Sequence, residues 1–217
     1  MALTSGLLAR GRWEPDQVEV RWSEVPFDPP GAATEAADAA IDALRERGSP
    51  AHDGFSARLT AFEAYPDRLV LDLEPIRWAL RLSRTDAEQS LAATCAVRAS
   101  DGRWLAGRRA GWLATWSGRW ALGAGGAVEA GENPAHTLAR ELREEWSVTA
   151  ERLTVEALVC LPQKLVMLLG MAWLAPGAVV VPDAEHDTYA WWPAELDGWP
   201  AEADEPLRAM ASMLANP

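Results

Sequence analysis

The segment from Gly125 to Val148 constrains this chain more than any other, because it joins a glycine-rich turn to a strongly amphipathic helix. Asn133 is a preferred N-cap residue and Pro134 suits the first helical position, so the sequence predicts a helix over residues 134–146. At about 100° per residue, one arc of this helix is apolar and should pack into the core. That arc contains Ala135, Leu138, Ala139, Leu142 and Trp146.

Three glutamates, Glu141, Glu144 and Glu145, fall on the neighbouring arc of the same helix. Carboxylates this close repel one another, by a few tenths of a kcal/mol even when exposed. A divalent cation removes the repulsion, and oxygen ligands at this density suit Mg²⁺, with Mn²⁺ able to substitute. We therefore predict that all three are metal ligands, and that Arg140 pairs with Glu144 four residues away.

The glycine-rich stretch before the helix, with Gly123, Gly125 and Gly126, lets the backbone turn sharply and approach a ligand closely. A backbone carbonyl there can complete a metal sphere, and backbone N–H groups can meet a phosphate. Turn and helix together predict a site that holds metal ions and phosphate, with Gly125 and Gly126 among the substrate-binding residues.

The same segment resembles the box of the Nudix hydrolases, in which Gly and Glu precede the run Arg-Glu-apolar-any-Glu-Glu-any-Gly-apolar. The matching positions are Gly126, Glu132, Arg140, Glu141, Leu142, Glu144, Glu145 and Val148. Ser147 stands where the family has a Gly that ends the helix in the left-handed conformation, which costs another residue roughly 1 kcal/mol. The resemblance covers about half of the chain, from near Leu91 to near Trp199.

The resemblance implies an α/β/α sandwich with a mixed sheet, and hydrolysis of the diphosphate linkage in a nucleoside diphosphate joined to another group. It implies Arg140, Glu144, Glu145 and Glu185 as catalytic residues, with Glu144 and Glu185 as alternative general bases. Arg140 should orient the glutamates, and Glu132 should tie the turn to the helix. Bound Mg²⁺, a small nucleotide-diphosphate substrate and often a homodimer belong to the same expectation.

Residues between the first hairpin and the box are candidates for substrate binding, although each has a plainer alternative. Arg108, Arg109 and Arg119 could meet phosphates, or they could be solvated charges beside a strand. Trp112 and Trp116 could stack on a base, or they could pack in the core or a lid. His136 and His186 are expected at the surface, and no partner is evident for His52.

Outside the box, the pattern predicts an N-terminal extension (residues 1–90) of strands and one helix before a catalytic unit (residues 91–217). Helices are predicted over 34–47 and 205–214, and strands over 17–22, 58–64, 68–73, 92–99, 104–107, 155–160, 165–174 and 189–192. Residues 76–82 fit either a strand or a short helix, and 183–187 read as a charged loop. The extension resembles that of Nudix proteins that hydrolyse UDP-sugars, mainly in a helix followed by HDGFSARL.

Composition limits the partners. The net charge of −12 and the absence of a basic stripe argue against nucleic acid as a partner. A polyphosphate would also be repelled by such a surface, and would need cations or a few placed arginines. Cys95 and Cys160 lie in apolar runs typical of buried free thiols in a reducing compartment, with a disulfide as the alternative. No apolar run reaches the ~20 residues of a membrane span, so we expect a cytoplasmic protein.

Two rival functions fit parts of this pattern. A non-catalytic Nudix fold could sense a ligand or bind a protein, but such modules usually lose a box carboxylate and none is missing here. An isopentenyl-diphosphate isomerase would need a paired Cys and a His/Glu metal site, and no such set is evident. The substrate stays open among a UDP-sugar, ADP-ribose, a dinucleotide and CoA, because a motif reads only shared chemistry.

Overall fold

The computed structural model describes residues 3–49 and 53–215, so His52 lies outside the described residues. The helices there are α1 (Gly31–Glu46), α2 (Pro134–Trp146) and α3 (Glu205–Ala215). The strands there are β1 (Gly6–Trp13), β2 (Val18–Trp22), β3 (Phe55–Ala64), β4 (Leu69–Arg77), β5 (Leu91–Arg98), β6 (Trp104–Arg109), β7 (Trp120–Leu122), β8 (Ala124–Ala127), β9 (Arg152–Cys160), β10 (Val166–Trp173) and β11 (His186–Trp192).

The larger sheet has the strand order β1-β9-β10-β5-β6-β11, with β7 paired to β6 and β8 paired to β5. β5 and β10 run parallel, whereas the other neighbours in this sheet run antiparallel. The predicted mixed sheet is therefore confirmed. The Gly-rich segment that forms β8 was expected to be a turn, and its pairing with β5 makes it a short strand instead.

Alternate residues of β5 enter two different cores, because successive strand side chains point to opposite faces. Cys95 and Val97 belong to the core that contains Leu138 of α2. Ala96 belongs to the core that contains Ala211 of α3. Since α2 and α3 cover opposite faces of the sheet, the predicted α/β/α sandwich is confirmed.

The N-terminal extension forms a three-stranded sheet in the order β2-β4-β3, with β2 parallel and β3 antiparallel to β4. α1 packs its apolar face, including Ile41 and Leu44, against Ile76 and Leu80. The extension also supplies β1, which pairs with β9 at the edge of the larger sheet. The boundary near residue 90 remains a prediction, but the backbone of the extension is bonded to the catalytic unit.

Local patterns located most elements within a few residues. The ambiguous stretch 76–82 is the end of β4 followed by a 3₁₀ helix, Trp78–Leu82. β11 begins inside the predicted charged loop, at His186. Cys95 and Cys160 are both buried and free, as expected. Among the described helices, none combines the length and the apolarity that crossing a bilayer requires.

Ser147 ends α2 with φ 53° and ψ 33°, the left-handed conformation for which the family's Gly is suited. We expect Ser147→Gly to raise the free energy of unfolding by roughly 0.5–1 kcal/mol, since Gly adopts this conformation without the Cβ clash. For a chain of this size that corresponds to a melting temperature about 1–4 °C higher. Thermal unfolding measures the change, with Ser147→Ala as the control that keeps the Cβ; an equal shift in both variants would contradict the explanation.

Candidate active site

The start of α2 is fixed by Asn133, whose side chain caps the helix and also anchors it to the N-terminal extension. Asn133 Oδ1 accepts a hydrogen bond from the Ala135 N–H at 2.9 Å, and Nδ2 donates to the Val18 carbonyl at 2.8 Å. Pro134 follows at the first helical position, where a missing N–H costs nothing. The position of the first turn of α2 is therefore fixed, and with it the positions of the glutamates further along the helix.

Arg140 contacts three glutamates at once. Its Nε and Nη2 donate to the two carboxylate oxygens of Glu132 at 3.0 and 3.2 Å. Its Nη1 lies 2.8 Å from Glu141 Oε1 and 2.8 Å from Glu144 Oε2. Burial acts to lower the pKa of Arg140, but the Glu132 hydrogen bond and the neighbouring negative charges outweigh it and raise that pKa. This arginine stays charged and holds the glutamates in place.

Glu145 is 3% exposed, and its Oε1 accepts a hydrogen bond from the Gly125 N–H at 2.8 Å. Burial raises the pKa of Glu145 well above its ordinary value, and the Gly125 hydrogen bond only partly offsets this. Burial likewise raises the pKa of Glu141 to about 7, against the lowering effect of Arg140. Two carboxylates on one helix are thus held where their charged forms lack sufficient compensation.

Gly125 and Gly126 allow β8 to approach its neighbours more closely than a side chain would permit. A Cβ on Gly126 would lie 2.2 Å from Glu141 Oε1, and a Cβ on Gly125 would lie 2.3 Å from Thr94 Oγ1. The space above Gly126 is therefore filled by the Glu141 carboxylate. The glycines are needed here for close approach rather than for a left-handed backbone.

In residues 3–49 and 53–215, no three His, Cys, Asp or Glu side chains converge as a metal-binding group. Glu141 and Glu144 turn towards Arg140, and Glu145 turns towards Gly125. The donor chemistry nevertheless suits a divalent cation, because Glu141 and Glu144 share one arginine nitrogen and are neighbours, and burial disfavours the negative charge of Glu141 and Glu145. These three side chains are the ones that could hold a metal.

His186 is buried, at 7% exposure, so the expectation of a surface position was wrong. Its ring packs on Trp146 at a centroid distance of 4.3 Å, in space left by Gly107, whose Cβ would come within 2.3 Å of the His186 ring. His186 Nε2 lies 3.5 Å from Glu145 Oε2. Burial lowers the pKa of His186 and favours the neutral ring. His136 is exposed, as predicted.

A cavity of about 1100 Å³ opens beside the glutamates. The predicted site residues that line it are Arg109, Trp112, Trp116, Arg119, Gly125, Gly126, Arg140, Glu141, Glu144, Glu145 and Glu185. Arg108 is not among its lining residues; it is exposed and donates from Nε to the Gly118 carbonyl at 3.3 Å. The neighbouring strand position, Arg109, therefore reaches the cavity while Arg108 points away from it.

Glu185 reaches the same cavity from the loop before β11. Its carbonyl accepts from the Ala110 N–H at 2.8 Å, and its Oε2 lies 3.9 Å from Arg109 Nη2. Burial raises the pKa of Glu185, and Arg109 acts in the opposite direction. The charge of Glu185 also acts on both Glu141 and Glu145, so the loop and α2 face each other across the cavity.

A family model described as the NUDIX domain matches residues 88–209. This is more than half of the chain, which therefore belongs to the NUDIX domain family. Membership makes it a hydrolase of the pyrophosphatase type, acting on diphosphate linkages.

Solved structures that match part of this chain include the following three. The MutT NUDIX hydrolase from Burkholderia pseudomallei is 23% identical, with a TM-score of 0.48 over 58% of this chain and 97% of that one. The MutT protein from Methanosarcina mazei Go1 is 23% identical, with a TM-score of 0.44 over 58% and 92%. An Ap4A hydrolase from C. elegans is 20% identical, with a TM-score of 0.45 over 58% and 95%. No curated protein matches the sequence significantly.

The raised pKa of Glu141 predicts a pH dependence of stability in metal-free protein. Because the folded-state pKa is about 7 against an ordinary 4.5, protonation stabilises the fold fully below about pH 4.5. This contribution is lost as the pH rises towards 7. We expect the melting temperature in EDTA to fall between pH 5 and pH 8 more steeply for the wild type than for Glu141→Gln. The reason is that the folded wild type holds a proton on Glu141 that the unfolded chain releases, and glutamine has no such proton.

Thermal unfolding across that pH range measures the difference, and excess Mg²⁺ should reduce it because a bound cation favours the ionised carboxylate. Equal pH slopes for the wild type and Glu141→Gln in EDTA would remove Glu141 as the titrating group.

Gly126→Ala should displace the Glu141 carboxylate without unfolding the protein, since the new Cβ meets the end of a flexible side chain. We expect Mn²⁺ affinity to fall by roughly tenfold to a hundredfold, the usual effect of misplacing a ligand's support. Titration calorimetry with Mn²⁺ measures this loss. Gly111→Ala is the matched control, because a Cβ there meets nothing within 4 Å; equal affinities in the two variants would contradict the prediction.

Proposed function

We propose that this hydrolase uses bound Mg²⁺ to cleave the diphosphate linkage of a nucleoside diphosphate joined to another group. The observation that carries the proposal is the pair of buried carboxylates, Glu141 and Glu145, on the cavity wall beside Gly125 and Gly126. Arg140 and the Gly125 N–H only partly offset the cost of burying these two charges, and a divalent cation supplies further positive charge. Mn²⁺ would be an adequate substitute.

Glu141, Glu144 and Glu145 are the proposed metal ligands. When bound, the cation would neutralise phosphate oxygens and lower the pKa of a water molecule. Arg140 orients Glu141 and Glu144 through its shared Nη1. The Gly125 N–H holds Glu145 Oε1 against β8, and Glu145 Oε2 lies 3.5 Å from His186 Nε2.

Glu185 is proposed as the general base in preference to Glu144. Burial raises the pKa of Glu185, and its ion pair with Arg109 is long, at 3.9 Å. Glu144 is bound more tightly, at 2.8 Å from Arg140, and its side chain is 57% exposed. A carboxylate with a raised pKa and a weak partner is the better proton acceptor.

The remainder of the cavity supports a substrate larger than a bare diphosphate. Its volume of about 1100 Å³ exceeds what two phosphates occupy, and Trp112 and Trp116 line it beside Arg109. Indole rings offer stacking surfaces for a base or sugar. A nucleotide sugar is one substrate of this description, and Arg109 is the proposed phosphate contact.

The test is incubation of the purified chain and Mg²⁺ with a panel of nucleoside diphosphate derivatives, with release of monophosphate as the readout. We expect at least one panel member to be cleaved, and Glu145→Gln to lose roughly a thousandfold in kcat, in keeping with removal of a metal ligand. Glu151→Gln is the matched control, because Glu151 is an exposed glutamate just beyond the same helix.

An alternative outcome is binding without cleavage. If the wild type binds panel members in the presence of Mg²⁺ but releases no monophosphate from any of them, the chain is a ligand-sensing module and the catalytic proposal is wrong. If Glu145→Gln cleaves as fast as Glu151→Gln, the metal assignment is wrong even though the chain is an enzyme.

A further inference from the structure

Arg81 belongs to the N-terminal extension yet lines the cavity of the catalytic unit. It lies in the 3₁₀ helix Trp78–Leu82 and shares the cavity with Glu141, Glu144 and Glu145. The charges that act on its guanidinium are those of Glu141, Arg109 and Glu185, which come from three different elements. Arg81 therefore lies close enough to α2 for the charge of Glu141 to act on it.

Arg81 is the cavity arginine that has no acidic partner among the described residues. Arg109 is near Glu185, Arg119 pairs with Asp204, and Arg140 pairs with three glutamates. Within residues 3–49 and 53–215, Arg81 makes no hydrogen bond or ion pair, and its guanidinium lies 5.8 Å from the centroid of the Trp78 ring.

The backbone around Arg81 is held firmly, so its position is not that of a loose surface side chain. Arg77 is bonded to both Asp38 and Asp53, and the N–H of Ala79 donates to Asp53 Oδ1 at 3.1 Å. Ala79 and Leu80 are buried against α1. The bonds of Arg77 and Ala79 and the packing of Leu80 thus fix the backbone from which the Arg81 side chain extends.

An unpaired, largely buried cation lowers stability, because desolvation of its charge is not repaid by a partner. Burial lowers the pKa of Arg81 to about 10, which still leaves it charged at neutral pH. A ligand that brings negative charge would supply the missing partner. Phosphate fits best, since a guanidinium matches two phosphate oxygens with two parallel hydrogen bonds.

We infer that Arg81 binds one phosphate of the substrate while the glutamates of α2 hold the other through the metal, so that the N-terminal extension completes the substrate site. This rests on the proposed function and deepens it. The substrate is then a compound with two or more linked phosphates that span the cavity, rather than a monophosphate. In a chain of net charge −12, Arg81 is a local cation of the kind such a substrate requires.

The experiment compares Arg81→Gln and Arg81→Lys with Arg84→Gln, an exposed arginine three residues further along that does not line the cavity. The probe is methylenediphosphonate, a non-hydrolysable diphosphate, titrated calorimetrically in the presence of Mg²⁺. We expect Arg81→Gln to weaken binding by roughly tenfold to a hundredfold, which is the range for losing charge-assisted hydrogen bonds. The affinity of Arg81→Lys for diphosphonate should lie between those of the wild type and Arg81→Gln, because lysine keeps the charge but lacks the planar guanidinium.

Two further readouts separate phosphate binding from a structural role. KM for whichever panel substrate is cleaved should rise in Arg81→Gln, whereas Mn²⁺ affinity without diphosphonate should not change. The melting temperature of Arg81→Gln should equal or exceed that of the wild type, because the unpaired charge has gone. If Arg81 were only structural, Arg81→Gln would have a lower melting temperature than the wild type. Arg81→Lys would then bind diphosphonate with wild-type affinity.

Each outcome decides a different point. Wild-type affinity for diphosphonate in Arg81→Gln, together with an unchanged KM, overturns this inference and leaves the proposed function standing. A wild-type chain that neither binds diphosphonate nor cleaves any panel member overturns both. If the affinity of Arg81→Gln for inorganic phosphate, titrated in the same way, falls as much as its affinity for diphosphonate, the assignment of Arg81 to a second phosphate is wrong.

Discussion

The burial of Glu141 and Glu145 against a bare glycine backbone is the constraint on which the rest of this site depends. The helix brings them there because its apolar arc fills the core beside them, and β8 can pack so closely only because Gly126 lacks a Cβ. Burial raises the pKa values of both glutamates, so their ionised forms are destabilised in the folded chain. A bound divalent cation would stabilise those ionised forms. The free energy of core formation thereby holds the proposed metal ligands in place.

The helix could be predicted from sequence to the residue, because its signals are local. Asn133, Pro134 and the left-handed Ser147 each act within one turn of the end of α2 at which they lie. β1, β7 and β8 were missed because their strand conformation comes from pairing with other strands, and the glycines of β8 have no intrinsic preference for it.

The site shows the same division. The box fixed which glutamates lie beside one another, since helical spacing alone decides that. His186 was misjudged because its burial depends on Gly107, a residue on the neighbouring strand that leaves room for its ring. Arg108 and Arg109 could not be separated from sequence, since strand alternation decides which one faces the cavity only when the register is known. Arg81 could not be identified from the sequence, because the residues around it form no motif that indicates phosphate binding.

The N-terminal extension lies outside the box, but its backbone contacts the segment that leads to α2. Ser56 and Ala57 of β3 bond to the backbone of Glu129 and Val128, in the turn that leads to α2. The extension therefore hydrogen-bonds through β3 to the segment before α2. It also contains Arg81, whose guanidinium has no acidic partner among the described residues. A surface of strong negative charge disfavours polyphosphates at a distance, and specificity then falls to a few cations held at short range. Arg81 lies on a different element from the proposed metal ligands, so it can be changed without disturbing them. Under the proposed assignment, recognition of the substrate and cleavage of its linkage belong to different parts of the fold.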